Sequence, residues 1–233
     1  MAGLALSERR PWLLASLVFG ISYWFAGPNT VPGVYLIAWK GAGVGLLAAY
    51  AWAHHPSRGA HLIALMLALG AIGDMVLEID FVGGALAFLA GHLVAIGLYT
   101  SHRRPNADVA VPLALVAAIP VAAYLLTGAA SVSLYALGLG GMTAAAWRSD
   151  FPRSRVGLGA IMFAASDLLI FARMGPLAGS AIPDLLVWPL YYFGQLLICV
   201  GGIRTLRQHG EFSADQPATG SATAPSAERS SGP

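Results

Sequence analysis

The sequence contains few charged residues and a single cysteine. Of its 233 residues only 10% are charged, while 57% are hydrophobic. A soluble domain usually carries about 25% charged residues. The lone Cys199 excludes an intrachain disulfide and a metal site built from cysteines. The sequence also lacks a glycine-rich phosphate loop and a Gly-x-Ser-x-Gly nucleophile motif. It therefore does not resemble a soluble nucleotide-binding protein or a serine hydrolase.

The abundant apolar residues recur as runs bounded by proline, glycine and clusters of charge. Runs of this length are typical of membrane-spanning helices, several of them close to the lower limit of about 17 residues. We predict an all-α polytopic membrane bundle of about eight helices, near residues 11–27, 33–53, 61–79, 82–100, 109–127, 131–147, 156–173 and 184–205. Residues 1–210 then form one transmembrane domain. Residues 211–233 are rich in Ser, Ala, Pro and Thr and are predicted to be a disordered cytoplasmic tail.

The basic residues between the runs are distributed unequally. Cytoplasmic loops of membrane proteins are enriched in Lys and Arg. The loops predicted to lie on one side contain Arg9, Arg10, Arg58, Arg103, Arg104, Arg148, Arg153, Arg155, Arg204 and Arg207. Only Lys40 and Arg173 fall toward the other side. We therefore expect both termini to be cytoplasmic, in a multi-pass protein of the cell inner (plasma) membrane.

A few polar residues lie inside the apolar runs, where an ionisable group costs about 2.5–3.5 kcal/mol on insertion scales. They are Lys40, Asp74, His92, Asp167, Tyr191, Tyr192 and Gln195. With a rise of about 1.5 Å per residue, the set falls in one layer on the order of 8–16 Å below the outer surface. A shared depth predicts one polar cavity that opens outward. Glu78 follows Asp74 by four positions and so extends the same helix face toward the mouth.

Structural roles are also open for these residues. An aspartate can form an ion pair with Lys40, and His92 can hydrogen-bond a backbone carbonyl. The two tyrosines can belong to an interfacial aromatic belt. Gln195 can join helices through hydrogen bonds. Glu78 can equally be a solvated loop residue.

Three stretches of the sequence resemble the YhhN-like lysoplasmalogenase family of membrane proteins. They are Gly73-Asp74 followed by FVGGALAFLAGH, which ends at His92; GAIMFAASDLLIF, which contains Asp167; and YYFGQLLI, which contains Tyr191 and Gln195. They occur in the family's order, and the resemblance extends over about residues 33–205. It implies an eight-helix membrane protein that hydrolyses the vinyl ether bond of lysoplasmalogens with choline or ethanolamine head groups. The products are a fatty aldehyde and a glycerophospho head group.

The polar residues suit this reaction, which needs an acid, a base and negative charge near an oxocarbenium ion. Two carboxyl groups in an apolar cavity can divide the acid and base roles. The predicted catalytic residues are Asp74, Asp167 and His92, with His92 tuning the pair or relaying protons. The predicted substrate-binding residues are Lys40, Tyr191, Tyr192, Gln195 and Glu78. No metal and no cofactor is predicted.

Two other functions share part of this residue pattern. An intramembrane aspartyl protease also uses two membrane aspartates, but its Gly-x-Gly-Asp motif would need glycine where this chain has Ala71. A transporter or lipid-binding carrier without hydrolytic activity is the main alternative, since membrane charges can mark a substrate path. The expected partners are a lysophospholipid substrate and membrane lipids, with no nucleic acid. Small residues on the helix faces also allow a homo-oligomer.

Overall fold

The protein is a bundle of helices. The computed structural model describes residues 10–26, 33–54, 56–105 and 108–214. Within these ranges there are eight α-helices, and no strand forms beyond an isolated bridge between Arg103 and Ser149. The helices are α1 (Arg10–Ala26), α2 (Gly33–His54), α3 (Arg58–Val76), α4 (Phe81–Ser101), α5 (Ala110–Thr127), α6 (Ala130–Arg148), α7 (Leu158–Arg173) and α8 (Ala181–Ala214). A π-helical turn, Arg153–Gly157, leads directly into α7.

The architecture confirms the predicted all-α polytopic membrane bundle. Six segments are long and apolar enough to cross a membrane: α2, α3, α4, α5, α7 with its preceding π-turn, and α8. The apolar part of α1 is shorter, and α6 falls outside this set. Each predicted span overlaps one helix. The largest difference is in α8, which begins at Ala181 and continues to Ala214, four residues into the predicted tail. Residues 215–233 lie outside the described part of the chain, so their disorder stays a prediction, as does the cytoplasmic position of both termini.

Polar side chains cap the N-termini of two helices. The Ser57 hydroxyl accepts the backbone N–H of Ala60 at the start of α3, 3.2 Å away. At the start of α4, the Asp80 carboxylate accepts the N–H groups of Val82 and Gly83 at 3.2 and 2.9 Å. Such caps satisfy donors that the first helical turn leaves without partners. Asp80 therefore has a structural role in the turn between α3 and α4.

Helices α7 and α8 pack with their backbones in close contact. A Cβ atom added at Gly159 of α7 would lie 2.6 Å from the carbonyl oxygen of Gly194 in α8, and one at Gly194 would lie 2.8 Å from that of Gly159. Glycine at both positions allows this approach, as is common between helices in lipid. The Ser166 hydroxyl adds a hydrogen bond of 2.9 Å to the carbonyl of Val187. These contacts fix α7 against α8 next to Asp167.

A proline within α8 leaves one backbone carbonyl without its helical partner, and a side chain from another helix bonds that carbonyl. Pro189 has no N–H to donate to the carbonyl of Leu185, four residues earlier. The indole N–H of Trp24 in α1 donates to this carbonyl at 3.2 Å. The freed backbone group thereby keeps a partner where water is scarce, and α1 is held against α8.

Candidate active site

A cavity of about 320 Å³ lies toward the end of the bundle opposite the arginine-rich loops. Residues from α2, α3, α4, α6, α7 and α8 and from the turn that follows α3 line it. Most of the lining is apolar, and the polar lining residues are Lys40, Asp74, Ser131, Tyr135, Ser166, Asp167 and Tyr191. A largely apolar cavity with a few convergent polar groups is typical of a small-molecule site. Its volume is at the lower end of the usual range of about 300–1,000 Å³.

Asp74 and Asp167 both line this cavity, although they lie 93 positions apart in the sequence. Asp74 is buried near the end of α3, and Asp167 is buried in α7. Neither carboxylate has a direct salt bridge within the described residues, where the ion pairs are Lys40–Glu78 and Arg173–Asp184. The cavity thus holds two carboxyl groups whose direct partners are neutral tyrosines.

Asp74 is held by residues of α8. The Tyr191 hydroxyl donates a hydrogen bond of 2.8 Å to Oδ2 of Asp74. The Gln195 side-chain amide lies beside the Tyr191 hydroxyl. Both groups pack over Gly70 on α3, where an added Cβ would lie 3.2 Å from the tyrosine oxygen and 3.4 Å from Nε2 of Gln195. Glycine at position 70 therefore leaves room for this pair one helical turn before Asp74.

Asp167 has a different set of partners. The Tyr135 hydroxyl on α6 donates to Oδ2 of Asp167 at 2.7 Å. The same hydroxyl lies 3.2 Å from Nε2 of His92 on α4. His92 is buried and does not line the main cavity. It lines a second void of about 10 Å³ together with Gln195, so both residues lie just behind the main cavity.

Lys40 enters the cavity from α2 and pairs with Glu78. Its Nζ lies 2.6 Å from Oε1 of Glu78, in the turn that follows α3. Glu78 is more exposed than Lys40 and does not line the cavity itself. The direct partner of Lys40 is therefore this outer carboxylate, and the ion pair with an aspartate considered from the sequence does not form. Glu78 is therefore held by this ion pair, which the alternative of a solvated loop residue did not include.

Tyr192 lies elsewhere in the structure. Its hydroxyl hydrogen-bonds Oγ of Ser16 in α1 at 3.0 Å, and its ring packs over Gly20. Ser16 donates its own proton to the carbonyl of Gly43 at 2.6 Å. Tyr192 does not line the cavity. Its predicted role in substrate binding therefore has no support in this geometry, because adjacent helical residues point about 100° apart and Tyr191 occupies the cavity side.

Tyr135 is a site residue that was not predicted from the sequence. This residue lies five positions after Ala130, where α6 begins at the same end of the bundle as the cavity. Counting residues from the helix end, the criterion that selected the other polar residues, places Tyr135 at the depth of Asp74 and Asp167. A tyrosine within an apolar run was overlooked because its ring is apolar and only its hydroxyl needs a partner.

The described residues show no group of three or more His, Cys, Asp and Glu side chains that could hold a metal ion. Among the residues that line the cavity, Lys40 provides the positively charged group. The functional groups of the site are thus carboxyl, phenol, amide, imidazole and ammonium groups, which serve acid–base chemistry and hydrogen bonding.

Comparisons with known proteins identify the family of this chain. A family model described as the YhhN family matches residues 35–202. The chain belongs to the YhhN family. The YhhN match begins within α2 and ends within α8, and it includes every residue of the site described above. All of α1 lies outside it.

Two curated relatives of this YhhN-family chain come from mycobacteria. One is from Mycobacterium bovis (strain ATCC BAA-935 / AF2122/97) and the other from Mycobacterium tuberculosis (strain CDC 1551 / Oshkosh), and both are named lysoplasmalogenase. Each is 30% identical over 210 residues, which covers 80% of this chain and 80% of the relative. No solved structure matches the chain.

Proposed function

We propose that this chain is a membrane lipid hydrolase that cleaves the vinyl ether bond of lysoplasmalogens by acid–base catalysis with two aspartates. The observation that carries the proposal is the pair of buried carboxyl groups, Asp74 and Asp167, lining one largely apolar cavity. The names of the two mycobacterial relatives support the same substrate.

The reaction needs proton transfers at the vinyl carbon, at the attacking water and at the hemiacetal. An acid protonates the β-carbon of the vinyl ether, and the α-carbon becomes an oxocarbenium ion. Water attacks this carbon while a base removes one of its protons, which gives a hemiacetal. The hemiacetal hydroxyl then loses its proton as the bond from carbon to the glycerol oxygen breaks, and that oxygen gains a proton, which releases a fatty aldehyde and the glycerol hydroxyl. One carboxyl group can supply the first proton while the other accepts the proton of water.

The apolar lining contributes to this chemistry. A carboxylate near the oxocarbenium ion stabilises its positive charge, and this attraction is stronger where water is excluded. The hydrogen bonds from Tyr191 to Asp74 and from Tyr135 to Asp167 hold both carboxyl groups toward the same space. The catalytic groups are therefore oriented before the substrate arrives.

The cavity has a lateral opening that suits a lipid chain. Val82 and Leu86 on α4 and Leu134 on α6 line the cavity, and yet 63%, 60% and 70% of their surfaces are exposed. Deeper in the bundle, α4 and α6 are in contact, since a Cβ atom at Gly138 would lie 2.5 Å from a methyl carbon of Leu89. The cavity thus reaches the lipid-facing surface of the bundle at these side chains, where an alkenyl chain can extend into the bilayer.

The ion pair at the edge of the cavity suits the head group. Lys40 lines the cavity and Glu78 lies beyond it. With its chain in the lateral opening, a lysolipid would place its phosphate near the Lys40 ammonium and its terminal ammonium near Glu78. The vinyl ether, which joins the chain to the glycerol, would then lie between these ends and near the aspartates.

The proposal is tested with the detergent-purified chain and choline or ethanolamine lysoplasmalogens, measuring release of fatty aldehyde. Alkyl-ether analogues, which lack the double bond, should give no product. Replacing either Asp74 or Asp167 with asparagine should lower kcat by about 10²–10⁴, the usual contribution of a general acid or base. Asp184→Asn is the matched control because Asp184 is exposed, pairs with Arg173 and lies outside the cavity.

Three outcomes contradict the proposal. Aldehyde release that persists in both asparagine variants would assign the aspartates a structural role. Equal cleavage of the alkyl-ether analogues would indicate a different reaction. Lysolipid binding without product would favour the lipid carrier instead. The proposed location, the cell inner membrane, is tested separately by fractionation.

A further inference from the structure

Lys40 is the single lysine in the sequence, and every other strongly basic residue of the chain is an arginine. A lysine amine can form a Schiff base with a carbonyl compound, whereas the arginine guanidinium keeps its proton and its charge. This one side-chain amine lines the cavity together with Asp74 and Asp167. A fatty aldehyde released in the cavity would therefore share it with the one side chain of the sequence that forms a Schiff base.

The direct contact of Lys40 opposes this reaction at neutral pH. Its Nζ atom lies 2.6 Å from Oε1 of Glu78, and 15% of its side chain is exposed. The carboxylate holds the amine as an ammonium, which has no free electron pair to attack a carbonyl group. The other titratable groups that face Lys40 or share its cavity are Tyr23 on α1, Asp74 on α3, Tyr135 on α6, Asp167 on α7 and Tyr191 on α8.

We propose that Lys40 is a capture site for long-chain aldehydes and that Glu78 limits the capture through its ion pair with the amine. The inference rests on the proposed function for the source of the aldehyde. Val82, Leu86 and Leu134 line the same cavity as Lys40, so an aldehyde that enters from the bilayer also reaches the amine. Captured aldehyde occupies the place of the substrate until its bond to Lys40 is hydrolysed. The ion pair thus keeps the site open for turnover.

The capture reaction balances without a further reagent. The Lys40 ammonium first gives a proton to water. The electron pair of the nitrogen then forms a bond to the aldehyde carbon, and a proton moves from the nitrogen to the aldehyde oxygen, which gives a carbinolamine. The carbinolamine loses water as the C=N bond forms. Addition of water to this imine reverses the steps and returns the aldehyde and the amine.

Reductive trapping measures the capture directly. The detergent-purified chain is incubated at pH 7 with hexadecanal and sodium cyanoborohydride, which transfers hydride to the imine carbon and makes the bond permanent. Mass spectrometry of the intact chain and of its peptides then counts and locates the added alkyl chains. Because the sequence has one lysine, the label has one expected side chain. Lys40→Arg keeps the positive charge and measures the background, including label at the α-amino group.

Removal of the Glu78 carboxylate should speed the capture. Glu78→Gln should raise the initial rate of trapping by about tenfold, near the lower end expected for loss of a charge-assisted hydrogen bond, because water screens this pair where Glu78 is 43% exposed. Glu78→Asp keeps the charge at a greater distance and should trap at an intermediate rate. Asp184→Asn is the matched control, since it removes an exposed carboxylate that pairs with Arg173 outside the cavity, and it should trap at the wild-type rate.

Several outcomes would overturn the inference. Equal rates in the wild type and both Glu78 variants would show that the ion pair does not limit capture. Absence of label at Lys40 in Glu78→Gln, or equal labelling of Lys40→Arg, would show that the amine is not a capture site. Thermal unfolding identifies a variant that does not fold, and if Glu78→Gln unfolds, the comparison of Glu78→Asp with the wild type decides. Because hexadecanal is added directly, absence of aldehyde release from lysoplasmalogens would refute only the proposed function.

Discussion

Two adjacent tyrosines provide a sharp test of the site, because the structure gives them different partners. Tyr191 and Tyr192 are both buried in α8. The Tyr191 hydroxyl donates to Asp74 in the cavity, and the Tyr192 hydroxyl bonds Ser16 on α1. Replacing each with phenylalanine removes one oxygen atom and leaves the ring in place. The two variants therefore differ only in which hydrogen bond is lost.

The expected magnitudes follow from the partners. A hydrogen bond to a charged group contributes about 1.5–3 kcal/mol. If the Tyr191 bond holds Asp74 as the base in the transition state, Tyr191→Phe should lower kcat/KM by about 10- to 150-fold, at about 1.36 kcal/mol per factor of ten. A neutral hydrogen bond contributes only about 0.5–1.5 kcal/mol to stability. Tyr192→Phe should cost about that much, because Ser16 keeps its bond to the carbonyl of Gly43.

The assay combines aldehyde release, coupled to an alcohol dehydrogenase, with thermal unfolding in the same detergent. Tyr191→Phe should lose activity, and it should also melt earlier because the buried Asp74 carboxyl group loses its hydrogen-bond donor. Tyr192→Phe should melt earlier and keep its activity when measured well below its melting temperature. Wild-type turnover in Tyr191→Phe, or an equal loss of turnover in Tyr192→Phe, would refute the assignment of these two side chains.

Two further predictions concern the route and the head group of the substrate. Leu134→Trp should narrow the lateral opening and raise KM for long-chain lysoplasmalogens more than for short-chain ones. Leu137→Trp on the same helix is the control, since Leu137 is 47% exposed but does not line the cavity; equal effects of both would argue against the opening. Lys40→Met should raise KM about 10- to 150-fold for substrates that carry phosphate, by loss of a charge-assisted bond, and leave KM for an alkenylglycerol unchanged. An equal rise in KM for both substrates would assign Lys40 a structural role.

The sequence by itself determined the membrane architecture and predicted the layer of the bundle in which the site lies. Residues of a membrane-spanning run must be apolar and its flanking loops polar, so the number of helices can be counted from composition. Depth follows from the constant rise per residue. Asp74 and Asp167 are predicted on this basis, and the structure brings both to one cavity. The same count of residues from the helix end applies to Tyr135, which could therefore have been predicted from the sequence.

Only the tertiary structure decided which side chains face one another. In lipid a helix is apolar on all sides, so the hydrophobic pattern that identifies the inner face of a soluble helix is absent. The sequence therefore could not distinguish Tyr191, which faces Asp74, from Tyr192, which faces Ser16. Nor could it pair Lys40 with Glu78, because the rotation of α2 about its axis is set by packing against α3. The position of a residue along its helix sets its depth in the membrane, whereas the packing of the helices sets which neighbour its side chain faces.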